Sequence, residues 1–284
     1  MKNVFTFLLL LFSLLCNGQS PKLFTTDKEL SSSLINQIYQ DRNGFIWIAT
    51  EDGLNRYDGA KFTIYKHEPN NEHSLAHNFV RTVFEDSKGH LLIGTYIGIQ
   101  MYDPATDNFT PLAKLEDTGE TLESNINSFI ERKNGEIWVS GNVLCKLDIK
   151  DHLLTVRKVD IAVTSPGSLF EDKKQNVWMA KGEEGVYQLT PDNQLTLHLS
   201  KDNGYVKSIC EDQRGNIYVG SIRKGLFIYD KERKTFVPVD LKEKGELPVC
   251  FLYSGIPNEL YIGTDGKGVA IYNIRTHEIS GIQV

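Results

Sequence analysis

The chain has 284 residues, 40% of them hydrophobic and 24% charged, with a formal net charge of -6. That is globular composition with enough chain to bury a sizeable core, as one large all-β domain or two average ones. The acidic balance and the lack of a basic cluster argue against a nucleic-acid partner, because phosphate binding needs a concentrated basic face.

In chain order, residues 1–18 read as a secretory leader. Lys2 supplies the positive start, an apolar run from Val4 to Leu15 is broken only by Thr6 and Ser13, and Cys16-Asn17-Gly18 places small residues before a cut at Gln19. The run is too short for a comfortable bilayer span, and no later stretch reaches about eighteen apolar residues. Leu15 is too large for a lipoprotein processing site at Cys16. The expected mature chain is therefore exported to the periplasm and carries no membrane span. Its three cysteines, Cys145, Cys210 and Cys250, make no disulfide framework and read as small buried hydrophobes within strands.

From residue 30 onward the sequence repeats. An anchor recurs as Trp47, Leu92, Trp138, Trp178, Tyr218 and Tyr261, at spacings of 45, 46, 40, 40 and 43 residues. Upstream stand Gln40-Asp41, Glu85-Asp86, Glu131-Arg132, Glu171-Asp172 and Glu211-Asp212. A turn residue follows as Gly44, Gly89, Gly135, Gln175, Gly215 and Asn258. Each repeat holds four runs of strand length, in the first at 34–40, 45–50, 54–57 and 62–65, divided by Gly, Asp and Asn turns. No window shows helical periodicity. Four short antiparallel strands per period of about forty residues predict an all-β fold, a β-propeller of four-stranded blades. The predicted propeller occupies 19–284, with repeats at about 30–74, 75–121, 122–161, 162–201, 202–245 and 246–284.

The chemistry of the anchor follows. An Asp before the Gly can accept from turn amides, the Gly can take positive φ, and the aromatic fills the space between stacked blades. The last repeat holds its own fourth strand at 278–283, which leaves 22–26 as a spare strand. A spare N-terminal strand suits closure of a further blade, so either an incomplete seven-bladed ring or six blades with an irregular seam is expected.

The pattern Asp41 to Asp58 with Phe62, repeated at Asp86 to Asp103 with Phe109, resembles the two-component regulator propeller repeat. The resemblance covers nearly the whole mature chain. It implies the periplasmic sensor region of hybrid two-component systems of gut and environmental Bacteroidetes, often tuned to polysaccharide breakdown products. Family members continue into a membrane helix and a histidine kinase, and neither is in this sequence.

Catalytic constellations are not apparent. A sialidase Asp-box has one residue between Asp and Gly, whereas Asp41-Arg42-Asn43-Gly44 has two, and no catalytic Tyr/Glu pair or arginine cluster can be assigned. A lyase or quinone-dependent propeller would need a histidine constellation; His73 and His77 have i, i+4 spacing but lie in a loop. The Asp265-Gly266-Lys267 turn lacks the ligand count for calcium. No metal, cofactor or catalytic residue is expected.

A binding rim is the better-supported expectation. Loops joining the second and third strands vary while the flanking strands keep their pattern. They offer Glu51, Asp52, Tyr96, Asn142, Arg223, Asp265 and Lys267, and the starts of the innermost strands offer Asn36, Arg81, Asn127 and Lys207. Tyr96 is the exposed aromatic suited to stacking on a sugar ring. The reading is a non-catalytic exported sensor that takes an oligosaccharide or other small ligand, a protein partner or a second copy of itself. A structural interaction propeller and a glycan-active enzyme are the alternatives.

Overall fold

A computed structural model describes residues 23–26, 29–199, 204–241 and 247–282; the leader expected at 1–18 lies outside them. The described residues form six sheets and no helix. Blade one is β1 (Ile35–Gln40), β2 (Ile46–Thr50), β3 (Gly53–Tyr57) and β4 (Phe62–Tyr65). Blade two is β5 (Val80–Glu85), β6 (Leu91–Thr95), β7 (Ile99–Asp103) and β8 (Asn108–Phe109). A short β9 (Lys114–Leu115) precedes blade three, which is β10 (Ser128–Glu131), β11 (Ile137–Ser140), β12 (Leu144–Lys150) and β13 (Leu153–Lys158). Blade four is β14 (Ser168–Glu171), β15 (Val177–Lys181), β16 (Gly185–Leu189) and β17 (Leu195–Leu199). Blade five is β18 (Val206–Glu211), β19 (Ile217–Ser221), β20 (Gly225–Asp230) and β21 (Thr235–Pro238). Blade six is β22 (Val249–Tyr253), β23 (Glu259–Thr264), β24 (Val269–Asn273) and β25 (Ile279–Ile282).

Each blade is an antiparallel meander, and β9 adds a parallel fifth strand to the outer edge of blade three. The blades follow one another in a ring, their innermost strands in contact in the order β1, β5, β10, β14, β18, β22. The sequence-predicted propeller of four-stranded blades is what forms.

The turn between the first two strands forms as its residues dictate. Asp41 Oδ1 accepts from the amides of Asn43 and Phe45, and its Oδ2 accepts from Trp47 Nε1. Asp172 does the same for Lys174, Asn176 and Trp178. The six turn residues all take positive φ, from 62° at Asn258 to 96° at Gly89, the region that glycine enters without steric cost.

The preceding glutamate has a different partner. In blades one to four the amide after the aspartate position donates to the glutamate of the next blade: Arg42 to Glu85, Ser87 to Glu131, Lys133 to Glu171 and Lys173 to Glu211, at 2.6–3.1 Å. Arg42 and Arg132 add ion pairs at 2.6 and 2.9 Å. Aspartate holds the turn within a blade; glutamate ties one blade to the next.

Five apolar clusters fill the five blade-to-blade interfaces, around Trp47, Leu92, Trp138, Trp178 and Tyr218. The two end faces are bare. Val83, Phe129, Leu169, Ile209 and Leu252 are at most 6% exposed against the preceding blade, whereas Ile38, their equivalent in blade one, is 61% exposed. At the other end Tyr253 is 54% exposed, although Tyr39, Phe84, Ile130, Phe170 and Cys210 at its register all pack on the following blade. The described ring is therefore open between blades six and one.

The spare strand expected at 22–26 does not form where it is described, from residue 23 on. The backbone turns there instead, with Thr25 O accepting from the amides of Glu29 and Leu30. Phe24 packs its ring 5.2 Å from Tyr57 and 5.0 Å from Phe62, on blade one. Side-chain packing, not strand pairing, holds this segment.

Candidate functional site

The loops before the innermost strands and those between second and third strands share one rim, joined by backbone bonds. Tyr96 N donates to Phe79 O, Ile222 N to Tyr205 O, Asp265 N to Pro248 O, and Ser165 N to Asn142 O. The expected binding residues are spread along this rim. Asp52 pairs with Lys66 at 2.6 Å and accepts from Asn78 Nδ2, while Glu51 is exposed beside it. Arg223 pairs with Glu183 at 3.1 Å, and Asp265 and Lys267 lie exposed on blade six.

The starts of the innermost strands carry a recurrent irregularity. Ile35 pairs with Thr50 and Gln37 with Ala49, so Asn36 is the extra residue of a β-bulge. Arg81, Lys207 and Cys250 occupy the same position in blades two, five and six. A bulge turns one side chain out of the ladder. Asn36 Nδ2 uses this to reach Val80 O at 2.7 Å, and Asn127 Nδ2 reaches Pro166 O at 3.1 Å. Both are ties to the next blade. Arg81 lies 5.6 Å over the Phe79 ring, and Lys207 is exposed.

Tyr96 and Asn142 are the two expected residues that come together in a concave site. Between blades two and three the rim opens into a groove with two lobes, of about 580 and 710 Å³. Both lobes are lined by Thr121, Glu123, Ser124 and Asn142; Tyr96, Leu112 and Asn125 complete the first, Lys114, Glu120 and Lys158 the second. Residues 111–125, the stretch carrying β9, build most of it. Ala113, Leu122 and Ile126 anchor the stretch in the core between the blades. Ala113 N donates to Ile99 O, Ser124 N to Ile97 O, and Ser124 Oγ accepts from Asn142 N at 3.0 Å. Two glycines permit the approach: a Cβ on Gly98 would stand 2.9 Å from Leu122 O, and one on Gly141 would stand 2.8 Å from Asn125 O.

Tyr96 is 51% exposed at the mouth and is backed by the rings of His77 and Phe79, centroids 5.6 and 6.0 Å away. In the floor, Asn125 Oδ1 is closed off from solvent and accepts no hydrogen bond. Sequence reasoning missed residues 111–125. The one signal was the spacing of 46 residues between Leu92 and Trp138, the longest in the repeat.

Reactive groups lie elsewhere and look structural. Burial pushes the Cys145 thiol to about 11 and Cys210 to about 12, which keeps both protonated. Asp107 accepts from Tyr65, Tyr102 and Arg56, locking blade one to blade two. Among the described residues no cluster of three or more His, Cys, Asp or Glu has metal-binding geometry.

The model of the two component regulator propeller matches residues 29–52, 74–96 and 200–223. A histidine kinase, P4, of Formosa agariphila is 37% identical over 83 residues, which are 27% of this chain and 6% of that protein. Among solved structures, the extracellular domain of a hybrid two component system from B. thetaiotaomicron superposes with a TM-score of 0.77 at 20% identity, over 93% of this chain and 36% of that one. A catalytically inactive virginiamycin B lyase from Staphylococcus aureus, crystallised with quinupristin, gives 0.69 at 12% identity over 92% of this chain and 86% of that one. At such identities these structures share the fold. The chain thus spans about a third of the crystallised extracellular domain and a small fraction of the kinase. The matches to the two component regulator propeller fall in blades one, two and five.

Proposed function

We propose that this chain is a non-catalytic, exported sensing propeller of a two component system, binding a glycan fragment or a protein partner at one rim. The observation that carries the reading is the groove of Tyr96, Asn125 and Asn142. It is set on a rim whose scaffold carries the regulator propeller repeat in three blades. The leader-like start of the sequence and the extracellular character of the crystallised relative support export. Calorimetric titration of the mature chain with an oligosaccharide panel tests it, and a saturable heat with one class of oligosaccharide is the expected result.

The bare faces at Ile38 and Tyr253 favour a second reading, an interaction propeller that holds a protein partner or a second copy. Silence across the panel together with capture of one stable partner would select it. Turnover of any glycan would overturn both readings in favour of an enzyme.

A further inference from the structure

Residues 111–125 do more than link two blades. Ser124 N donates to Ile97 O at 3.2 Å and Ile126 N to Thr95 O at 3.0 Å, so the end of the stretch runs antiparallel to residues 95–97. That pairing brings Glu123 into the lobe of about 580 Å³ that Tyr96 also lines. Glu123 is the one charged residue lining this lobe. It is exposed, and it makes no ion pair or hydrogen bond among the described residues. In the same lobe Tyr96 presents a half-exposed ring, held in place by His77 and Phe79. The face of an aromatic ring is electrically negative, so ring and carboxylate select the same thing, a cation.

The surrounding charge has the same sign. Residues 111–125 hold one positive group, Lys114, against Glu116, Asp117, Glu120 and Glu123. Neighbouring cations are placed away from Tyr96. Arg81 lies 5.6 Å over the Phe79 ring and lines neither lobe, while Lys114 and Lys158 line the second lobe with Glu120. The groove is therefore graded, acidic and aromatic at one end and charge-balanced at the other.

We propose that this groove docks a basic segment of a partner protein, with one lysine or arginine side chain seated in the first lobe. The cationic head lies over the Tyr96 ring and pairs with Glu123, and the residues flanking it continue along the second lobe. A segment of chain suits the groove better than a free amine, because two adjoining lobes of about 580 and 710 Å³ exceed what one side chain fills. The proposal rests on the reading above in its protein-partner form, and adds to it the place, the charge and the two contact residues.

The test is NMR titration of the mature chain, in low-salt buffer, with blocked peptides acetyl-Ser-Gly-X-Gly-Ser-amide. X is lysine, arginine, glutamine or glutamate. The expected result is saturable binding of the lysine or the arginine peptide, weaker by about tenfold or more for the glutamine and glutamate peptides, and lost as salt screens the contact. Tyr96→Leu keeps an apolar side chain but removes the ring face, and should weaken binding about fivefold. Glu123→Lys should weaken it about tenfold or more, while Glu116→Lys, the same reversal on the same stretch but outside both lobes, stays within about threefold. Both glutamates are exposed, so melting temperatures should match wild type and show that the variants fold. Equal binding of the lysine and glutamine peptides would overturn the selection for a cation. Equal losses at Glu123 and Glu116 would overturn the contact with Glu123. No binding of any peptide would overturn the proposal outright, and the oligosaccharide panel would then decide the sensing reading separately.

Discussion

Trp138 is 3% exposed between blades three and four, and its Nε1 donates to Glu136 because Arg132 stands where Trp47 and Trp178 have an aspartate. The Arg132 guanidinium lies 4.6 Å over the indole, a cation on the ring's negative face. Trp138→Ala is expected to destabilise the fold by about 3–5 kcal/mol, read from denaturant melts. Glu136 brings a pH dependence. Burial works against its charge, but bonds from Lys146, Trp138 and Asn134 outweigh that and hold its carboxyl at about 2, against an ordinary 4.5. A carboxyl depressed in the folded state stabilises the protein above its unfolded value and loses that contribution as the pH falls through the folded one. Glu136→Gln should therefore lower the melting temperature at neutral pH. The difference from wild type should shrink below pH 4.5 and vanish near pH 2.

At the scale of the element, strand pairing and turns were legible in the sequence because they depend on local rules. Glycine spacing placed all six positive-φ turns, even where Gln175 and Asn258 replace the glycine. The conspicuous Glu-Asp pairs were only half legible. Aspartate acts on its own turn, whereas glutamate bonds a residue about forty positions earlier, a contact no local rule reveals. The bulges at Asn36, Arg81, Lys207 and Cys250 were hidden for a related reason: a bulge is set by pairing with a neighbour strand, and its residues follow no composition. Of the eleven residues expected on the rim, Tyr96 and Asn142 line the groove, and Tyr96 stood out as an aromatic in a loop. The rest of the lining was not legible, since residues 111–125 follow no repeat. Two substitutions measure these elements. Glu171→Ala, which strips the partner from Arg132 and the Lys133 amide, should cost about 1–3 kcal/mol in denaturant melts. Gly98→Ala should push residues 111–125 off the rim and raise protease cleavage within them, because its Cβ would meet Leu112 and Leu122 O.

At the scale of the whole fold, the described residues make six blades joined by five filled interfaces, and leave Ile38 and Tyr253 bare on the two end faces. Equivalent residues should therefore differ in worth. Val83→Ser is expected to cost about 2–4 kcal/mol, because it puts a hydroxyl into a closed interface. The same change at Ile38 should stay within about 0.5 kcal/mol. Equal losses at the two positions would mean that the end faces meet in solution. Anilinonaphthalene sulfonate fluorescence offers a second check: folded protein should enhance it, and Ile38→Asp with Tyr253→Asp should abolish the enhancement.

An unclosed ring also differs from a closed one in how it deforms. In a closed ring a rotation at one joint must be cancelled at the others, so the circle is stiff. In an unclosed one the joints act in series, and a tilt at any one of them is carried undiminished to the free ends. The groove of Tyr96 and Asn125 lies across the joint between blades two and three. A wedge of a few degrees there would move the Ile38 and Tyr253 faces relative to each other by the full lever of the intervening blades.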